Sequence, residues 1–200
     1  MTIKNTEYGK KEVVAVVDAG TSSVKAGIVD RSGAILERAS AQYSHSTPKV
    51  NHVELDFNLI WEALIDVFSR LRTSDYHIIA IGLSVLCPGL VPLDAEGNPL
   101  RPAIIHLDRR SVKEAKEALQ IIGKERFLQV AANLPYPGGM SVTSMLWIKE
   151  NEPDVFRKTA KFGHTNTFLL KKLTDTWAID PTNASFNGLF DTMNGLRWDF

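Results

Sequence analysis

Hydrophobic and polar positions divide the chain into stretches of different period. Val13, Val14, Ala15, Val16 and Val17 form a β-branched run that predicts a buried central strand. The turn-forming stretch Asp18-Ala19-Gly20-Thr21-Ser22-Ser23 follows it. Val24, Ala26, Ile28 and Val29 predict a second strand, closed by Asp30-Arg31-Ser32-Gly33, and residues 34–43 predict a third. Turns this short leave no room for crossover helices, so residues 12–46 read as an antiparallel meander. From Asp56 the period lengthens. Phe57, Ile60, Trp61, Leu64, Phe68 and Leu71 recur at three and four residues, the pattern of an amphipathic helix with Asp56 at its N-cap. Residues 78–84 then predict a fourth strand, buried on both faces and parallel to a neighbour because a helix precedes it. Ser111-Val112-Lys113-Glu114 fits a capping box opening a helix to about Ile122, with Gly123 as its stop. Pro135, Pro137, Gly138 and Gly139 make residues 133–139 a loop, and short helices are expected over 141–150 and 167–173. A meander, then a helix, then a parallel strand is a mixed α/β sheet with flanking helices.

Composition narrows the class without changing this picture. The chain has 200 residues, 44% hydrophobic and 23% charged, an ordinary globular balance that buries a core without disulfides or metals. Its 23 Lys+Arg match 23 Asp+Glu, which argues against a nucleic-acid clamp and against a polybasic membrane-surface protein. The one cysteine, Cys87, excludes an intramolecular disulfide and fits a reducing compartment. The first twelve residues are polar and lack the apolar core of a secretory signal. The longest apolar stretch, residues 78–93, is interrupted by Gly82, Ser84, Pro88, Gly89 and Pro92, and a spanning helix takes about 20 residues. A soluble, cytoplasmic protein is expected, with no membrane and no nucleic acid among its partners.

The chemistry concentrates at Asp18 to Ser23. A strand ends in a carboxylate, Gly20 lets backbone N–H groups approach an anion, and Thr21, Ser22 and Ser23 supply hydroxyl donors. Asp18 cannot hold a phosphate itself but suits a Mg²⁺ ion taken through one carboxylate and several waters. Lys25 can add positive charge to a transferring phosphoryl group. A plain hairpin turn stays open as the alternative. The stretch is neither a Walker A loop nor a dinucleotide fingerprint.

VAVVDAGTSSVKAGIVD, residues 14–30, closely resembles the first phosphate motif of the FGGY family of carbohydrate kinases. His52-Val53-Glu54-Leu55-Asp56 followed by Trp61 is similar to that family's V-E-x-D…W segment. So are Ile81-Gly82-Leu83-Ser84 with residues 89–104, Met145 to Pro153, and Leu173-Thr174 with Asp180, Asn183-Ala184-Ser185 and Leu189-Phe190-Asp191. The resemblance implies a ribonuclease-H-like (actin-like ATPase) fold, two domains around a cleft, and transfer of the γ-phosphoryl of ATP, with Mg²⁺, to a sugar or polyol hydroxyl. It assigns Gly20, Thr21, Ser22, Ser23 and Lys25 to phosphate and Asp18 to the metal.

On the sugar side the resemblance points to Leu86, Cys87 and Pro88, where family members often carry Gln-Met-His. That exchange replaces a polar edge with an apolar one and should alter substrate choice. Core packing at a strand end is the alternative for these three. His106-Leu107-Asp108-Arg109-Arg110 is similar to the family's W-x-D-x-R pattern, so Asp108 is expected to accept from sugar hydroxyls and Arg110 to support the loop. A solvated charge cluster is the plainer reading there, as an ordinary surface turn is for 135–139, which could instead close over substrate. His45, His52, His77 and His164 show no spacing with Cys87 that builds a zinc site, and Cys87 has no evident base, so it reads as a buried structural thiol.

The resemblance runs to Arg197-Trp198-Asp199 and stops short of the family's catalytic base, expected beyond Phe200. Residues 1–200 are therefore expected to be the sugar-binding N-terminal domain, incomplete at its C-terminal end, inactive alone, and partnered by a nucleotide-binding C-terminal domain. A homodimer stays open. The rival readings are another actin-like ATPase and a non-catalytic sugar-binding or regulatory module.

Overall fold

A computed structural model describes residues 10–198, so the polar stretch 1–9 and Asp199 lie outside the described residues. The chain divides into two compact units, one of residues 1–44 with 58–85 and one of 45–57 with 86–200.

The first unit is built on a four-stranded mixed sheet in the order β3-β2-β1-β5. β1 (Lys11–Ala19), β2 (Ser23–Asp30) and β3 (Ile35–Gln42) form the expected antiparallel meander. β5 (Tyr76–Val85) joins β1 in parallel, after β4 (Glu54–Leu55, part of the second unit) and helix α1 (Phe57–Ser69). β1 is central, and its alternation puts Val13, Ala15, Val17 and Ala19 on a buried face while Val16 and Asp18 point the other way. Val24, Ala26 and Ile28 of β2 and Ile60, Ala63, Leu64 and Val67 of α1, with Leu71 just after it, are buried too.

β5 corrects the expectation of a strand buried on both faces. Among the described residues it has one hydrogen-bonded neighbour, none of its residues is buried, and Ile79 and Ile81 are about half exposed. The twice-buried strands lie further on, in the second unit. β6 (Gly89–Leu93) and β7 (Ala103–Ile105) are buried at every position, in an antiparallel sheet of order β4-β7-β6-β8.

Helices follow. α2 (Val112–Ile122) ends at Gly123, whose φ of 88° is a conformation that suits glycine. Its capping box does not form: the Ser111 hydroxyl meets Thr143 Oγ1 at 2.9 Å instead, and Glu114 is buried, which raises its carboxyl pKa. α3 (Lys124–Ala131), α4 (Ser141–Asn151) and α5 (Pro153–Lys158) lead into β8 (Lys161–Gly163), then α6 (Thr165–Thr174) and α7 (Pro181–Ser185). A short ribbon of β9 (Phe190–Asp191) and β10 (Arg197–Trp198) ends the described chain. Among the described residues no helix is long and apolar enough to cross a membrane.

Candidate functional site

In the first unit, the period of β1 delivers Asp18 to the open side of the sheet just before the chain turns. The β1–β2 turn is closed from within. Gly20 N–H donates to the Ser23 carbonyl at 2.9 Å, Tyr43 N–H donates to the Ser22 carbonyl at 3.0 Å, and the Tyr43 hydroxyl donates to the Gly20 carbonyl at 2.6 Å. Burial, aided by the charge of Asp18, pushes the Tyr43 phenol up to about 12, so it stays a donor at neutral pH. The carbonyls of Gly20, Ser22 and Ser23 are thereby occupied, while the hydroxyls of Thr21, Ser22 and Ser23 have no partner among the described residues. Lys25 Nζ stands 3.9 Å from Asp18 Oδ2, with both side chains more than half exposed. Such a pair adds little to stability and leaves both charges available. A cavity of about 350 Å³ adjoins them, lined by Val16, Asp18, Lys25, Gly27, Arg38 and Ser84 among others. The turn therefore combines a carboxylate, an ammonium and three uncommitted hydroxyls.

The sugar-side candidates lie in the second unit, and the structure separates them into two groups. Leu86 is buried, with its Cδ1 packed close to Gly89. Burial and the nearby Asp180 charge push the Cys87 thiol up to about 12, so it is uncharged and a poor nucleophile at neutral pH. Asp108 and Arg110 belong to the other group. Asp108 is fully buried and its oxygens are committed within the chain: Oδ2 accepts from Val53 N–H at 2.6 Å and Oδ1 from Arg110 N–H at 2.8 Å. Arg110 Nε reaches both oxygens, at 3.0 and 3.1 Å. The expected direct contact between Asp108 and sugar hydroxyls thus meets a carboxylate with no exposed oxygen, and its visible task is to hold Arg110 and residue 53. Arg110 in turn reaches Glu54 Oε1 at 2.8 Å and stacks on Trp147, 4.8 Å from the ring centroid. Arg101 also pairs with Glu54, approaches Glu152 at 3.1 Å, and lies 5.9 Å from the same indole.

The loop at 135–139 joins this second group. Arg109 Nη1 donates to the carbonyls of His106, Asp108 and Pro137 at 2.7, 2.6 and 3.2 Å. Gly138 has φ 72°, and a Cβ there would sit 2.3 Å from the Asp108 carbonyl oxygen, so only glycine fits. His106 and the Tyr136 loop are therefore fixed against one another.

Three features carried no role from sequence alone. Glu54 and Trp147 lie in the quoted segments, but their shared arginines are distant in the chain. His164 is fully buried with Nε2 2.8 Å from the Ser141 hydroxyl, and burial pushes it down to about 4, so it is neutral. Asp180 caps α7 by accepting from Asn183 N–H at 2.9 Å and also takes the Asn166 amide at 2.6 Å. The D-P-T-N spacing signals that cap.

Several known proteins are similar to this chain. A xylulose kinase of Staphylococcus xylosus is 30% identical over 176 residues, covering 87% of this chain and 36% of its own length. A glycerol kinase of Shewanella halifaxensis is 32% identical over 200 residues, with 94% and 40% covered. Among solved structures, a "xyloylose kinase" from Brucella ovis superposes with a TM-score of 0.86 at 28% identity, over 94% of this chain and 39% of that one. The glycerol kinase of Plasmodium falciparum, solved with ADP, gives a TM-score of 0.86 at 25% identity over 98% and 40%. The chain thus spans well under half the length of these relatives. It shares the actin-like, ribonuclease-H-like fold of its structural neighbours. The model of the FGGY family of carbohydrate kinases, N-terminal domain, matches residues 13–200, and the chain belongs to that family.

Proposed function

We propose that this chain supplies the first phosphate-binding loop and the sugar-side wall of an ATP-dependent carbohydrate kinase. The observation that carries this is the β1–β2 turn, whose three hydroxyls are unpartnered beside the exposed Asp18 and Lys25. Asp18 would hold Mg²⁺ through one carboxylate and waters, which suits an ion that keeps much of its hydration. Bound to the phosphates of ATP, the ion would neutralise charge that builds up as the γ-phosphoryl leaves. The turn's N–H groups and the hydroxyls of Thr21, Ser22 and Ser23 would orient the phosphates, with Lys25 adding positive charge. In the reaction the substrate hydroxyl oxygen gains the γ-phosphorus, the bond to the β-phosphate oxygen breaks, and ADP leaves. The hydroxyl proton passes to a general base, a role that no residue of this chain is assigned. On the sugar side, Asp108 and Arg110 would hold the 106–110 loop in place, leaving His106 and the Tyr136 loop to meet substrate. Leu86 and Cys87 would give that wall an apolar portion, and a ketose or polyol is the acceptor class in keeping with the relatives.

Calorimetric titration of the chain with tripolyphosphate and with ATP, each with and without Mg²⁺, tests the loop. Saturable binding that needs Mg²⁺ is expected. Asp18→Asn should remove the Mg²⁺ dependence, and Lys25→Ala should weaken binding by about tenfold, the scale of one charge-assisted hydrogen bond. Binding indifferent to both substitutions would sink the assignment.

A further inference from the structure

Tyr136 is the open member of a loop that is otherwise closed. Pro135, Gly138 and Gly139 are buried, whereas Tyr136 is 46% exposed. Its carbonyl accepts from the N–H groups of Gly139 at 3.2 Å and Met140 at 3.1 Å. The turn this closes carries Pro137 at its second position and Gly138, φ 72°, at its third, each the residue best suited to that place. Arg109 holds the Pro137 carbonyl, and the N–H groups of Ser141 and Val142 donate to the carbonyls of Phe186 and Asn187, each at 2.9 Å. The backbone that carries Tyr136 is therefore fastened on both sides.

The side chain has a defined seat as well. A Cβ at Gly139 would overlap Cζ, Cε2 and the hydroxyl oxygen of Tyr136, and these are the three atoms nearest to it. The far end of the tyrosine thus stands where a side chain at 139 would begin. Unlike Gly138, Gly139 has no positive φ, so its backbone accepts alanine without strain. Glycine at 139 is a condition for the position of the ring, not for the turn. The Tyr136 hydroxyl has no hydrogen-bond partner among the described residues. A tyrosine held in this way offers a rigid apolar face with one polar end, and little side-chain entropy is lost when something packs on it.

We propose that Tyr136 is a specificity-determining residue for the acceptor sugar, seated by the missing side chain at 139, an assignment that rests on the 135–139 loop meeting substrate as proposed above. The ring packs along the carbon chain of the acceptor, and the hydroxyl donates to one of its oxygens. A five-carbon ketose is long enough to meet both. Glycerol covers only part of that length, so the tyrosine favours the ketose.

Calorimetric titration of the chain with D-xylulose and with glycerol tests this. Tyr136→Phe keeps the ring and should weaken D-xylulose about fivefold, the scale of one neutral hydrogen bond. Gly139→Ala evicts the ring and should weaken D-xylulose at least about tenfold. Tyr136→Ala should match it, and the double variant should be no worse than either alone, because both changes remove the same contact. Glycerol should lose less than about threefold throughout. Urea midpoints of Tyr136→Phe and the parent should coincide, so this variant carries the test even where Gly139→Ala is unstable. If the parent binds neither acceptor, the loop does not meet substrate at all, and the assignment of Tyr136 fails with it. If the parent binds D-xylulose but Tyr136→Phe and Tyr136→Ala bind it equally well, or if both acceptors weaken alike, the loop keeps its place on the sugar side and the role of Tyr136 alone is overturned.

Discussion

His164 has no solvent exposure, and its ring is held neutral because a charge there would be buried. In the unfolded chain the same imidazole titrates near 6.5, against about 4 in the fold. Because the folded value is the depressed one, stability is full above about 6.5 and is lost as pH falls toward 4. The linked loss is on the order of 3 kcal/mol across that window. Urea midpoints measured from pH 7 down to 4.5 should fall, and more shallowly in His164→Gln; identical slopes would show that other groups carry the acid sensitivity. Arg110 calls for a different experiment. It neutralises Asp108 and Glu54 while stacking on Trp147; Arg101 still pairs with Glu54, but Arg110→Ala leaves the buried Asp108 carboxylate without its cation and should cost about 3–5 kcal/mol. Arg110→Lys should recover little, since a lysine offers neither the fork nor the flat face. Thermal denaturation of both variants checks this. At this scale the stretch from Asp18 to Ser23 was legible as a turn rich in hydroxyls beside a carboxylate, because one short segment holds all the parts. The sequence was opaque at Asp108, because spacing does not reveal that the carboxylate turns inward to Val53 and Arg110.

The elements with strong periods were readable. The meander follows from its β-branched runs and short turns, and α1 from apolar residues at three- and four-residue steps. α3 and α5 were not foreseen, being eight and six residues long and too short to show a period. The error at β5 has a physical cause. An apolar run looks the same on an inner strand as on an outer one, and only the pairing order tells which neighbours cover it. An outer strand with half-exposed Ile79 and Ile81 invites pairing with another chain. Ile79→Thr with Ile81→Thr should shift stability by less than about 1 kcal/mol while reducing concentration-dependent association. Light scattering against protein concentration would show it, and unchanged association would place the sticky surface elsewhere. The capping box misled for a related reason: Thr143, supplied by a distant helix, takes the Ser111 hydroxyl.

At the level of the whole molecule, the chain passes between its two units near residues 44, 57 and 85. No linker composition marks these crossings, because each is made within or beside a regular element. Hydrogen exchange should follow the sheets. β1, bonded by both β2 and β5, and β6, bonded by both β7 and β8, should protect their amides longest. β5 should exchange well before β1, and equal rates would contradict its outer position. The Arg109 clasp bears on any attempt to reshape the proposed substrate wall. One guanidinium fastens three carbonyls, and Gly138 leaves no room for a side chain between the strands of that fastening. Positions 109 and 138 therefore behave as a hinge pin rather than as adjustable surface. A mutant library that randomises them will mostly harvest misfolded loops. One that keeps them fixed and varies His106, Tyr136 and Pro137 samples new shapes on an intact frame.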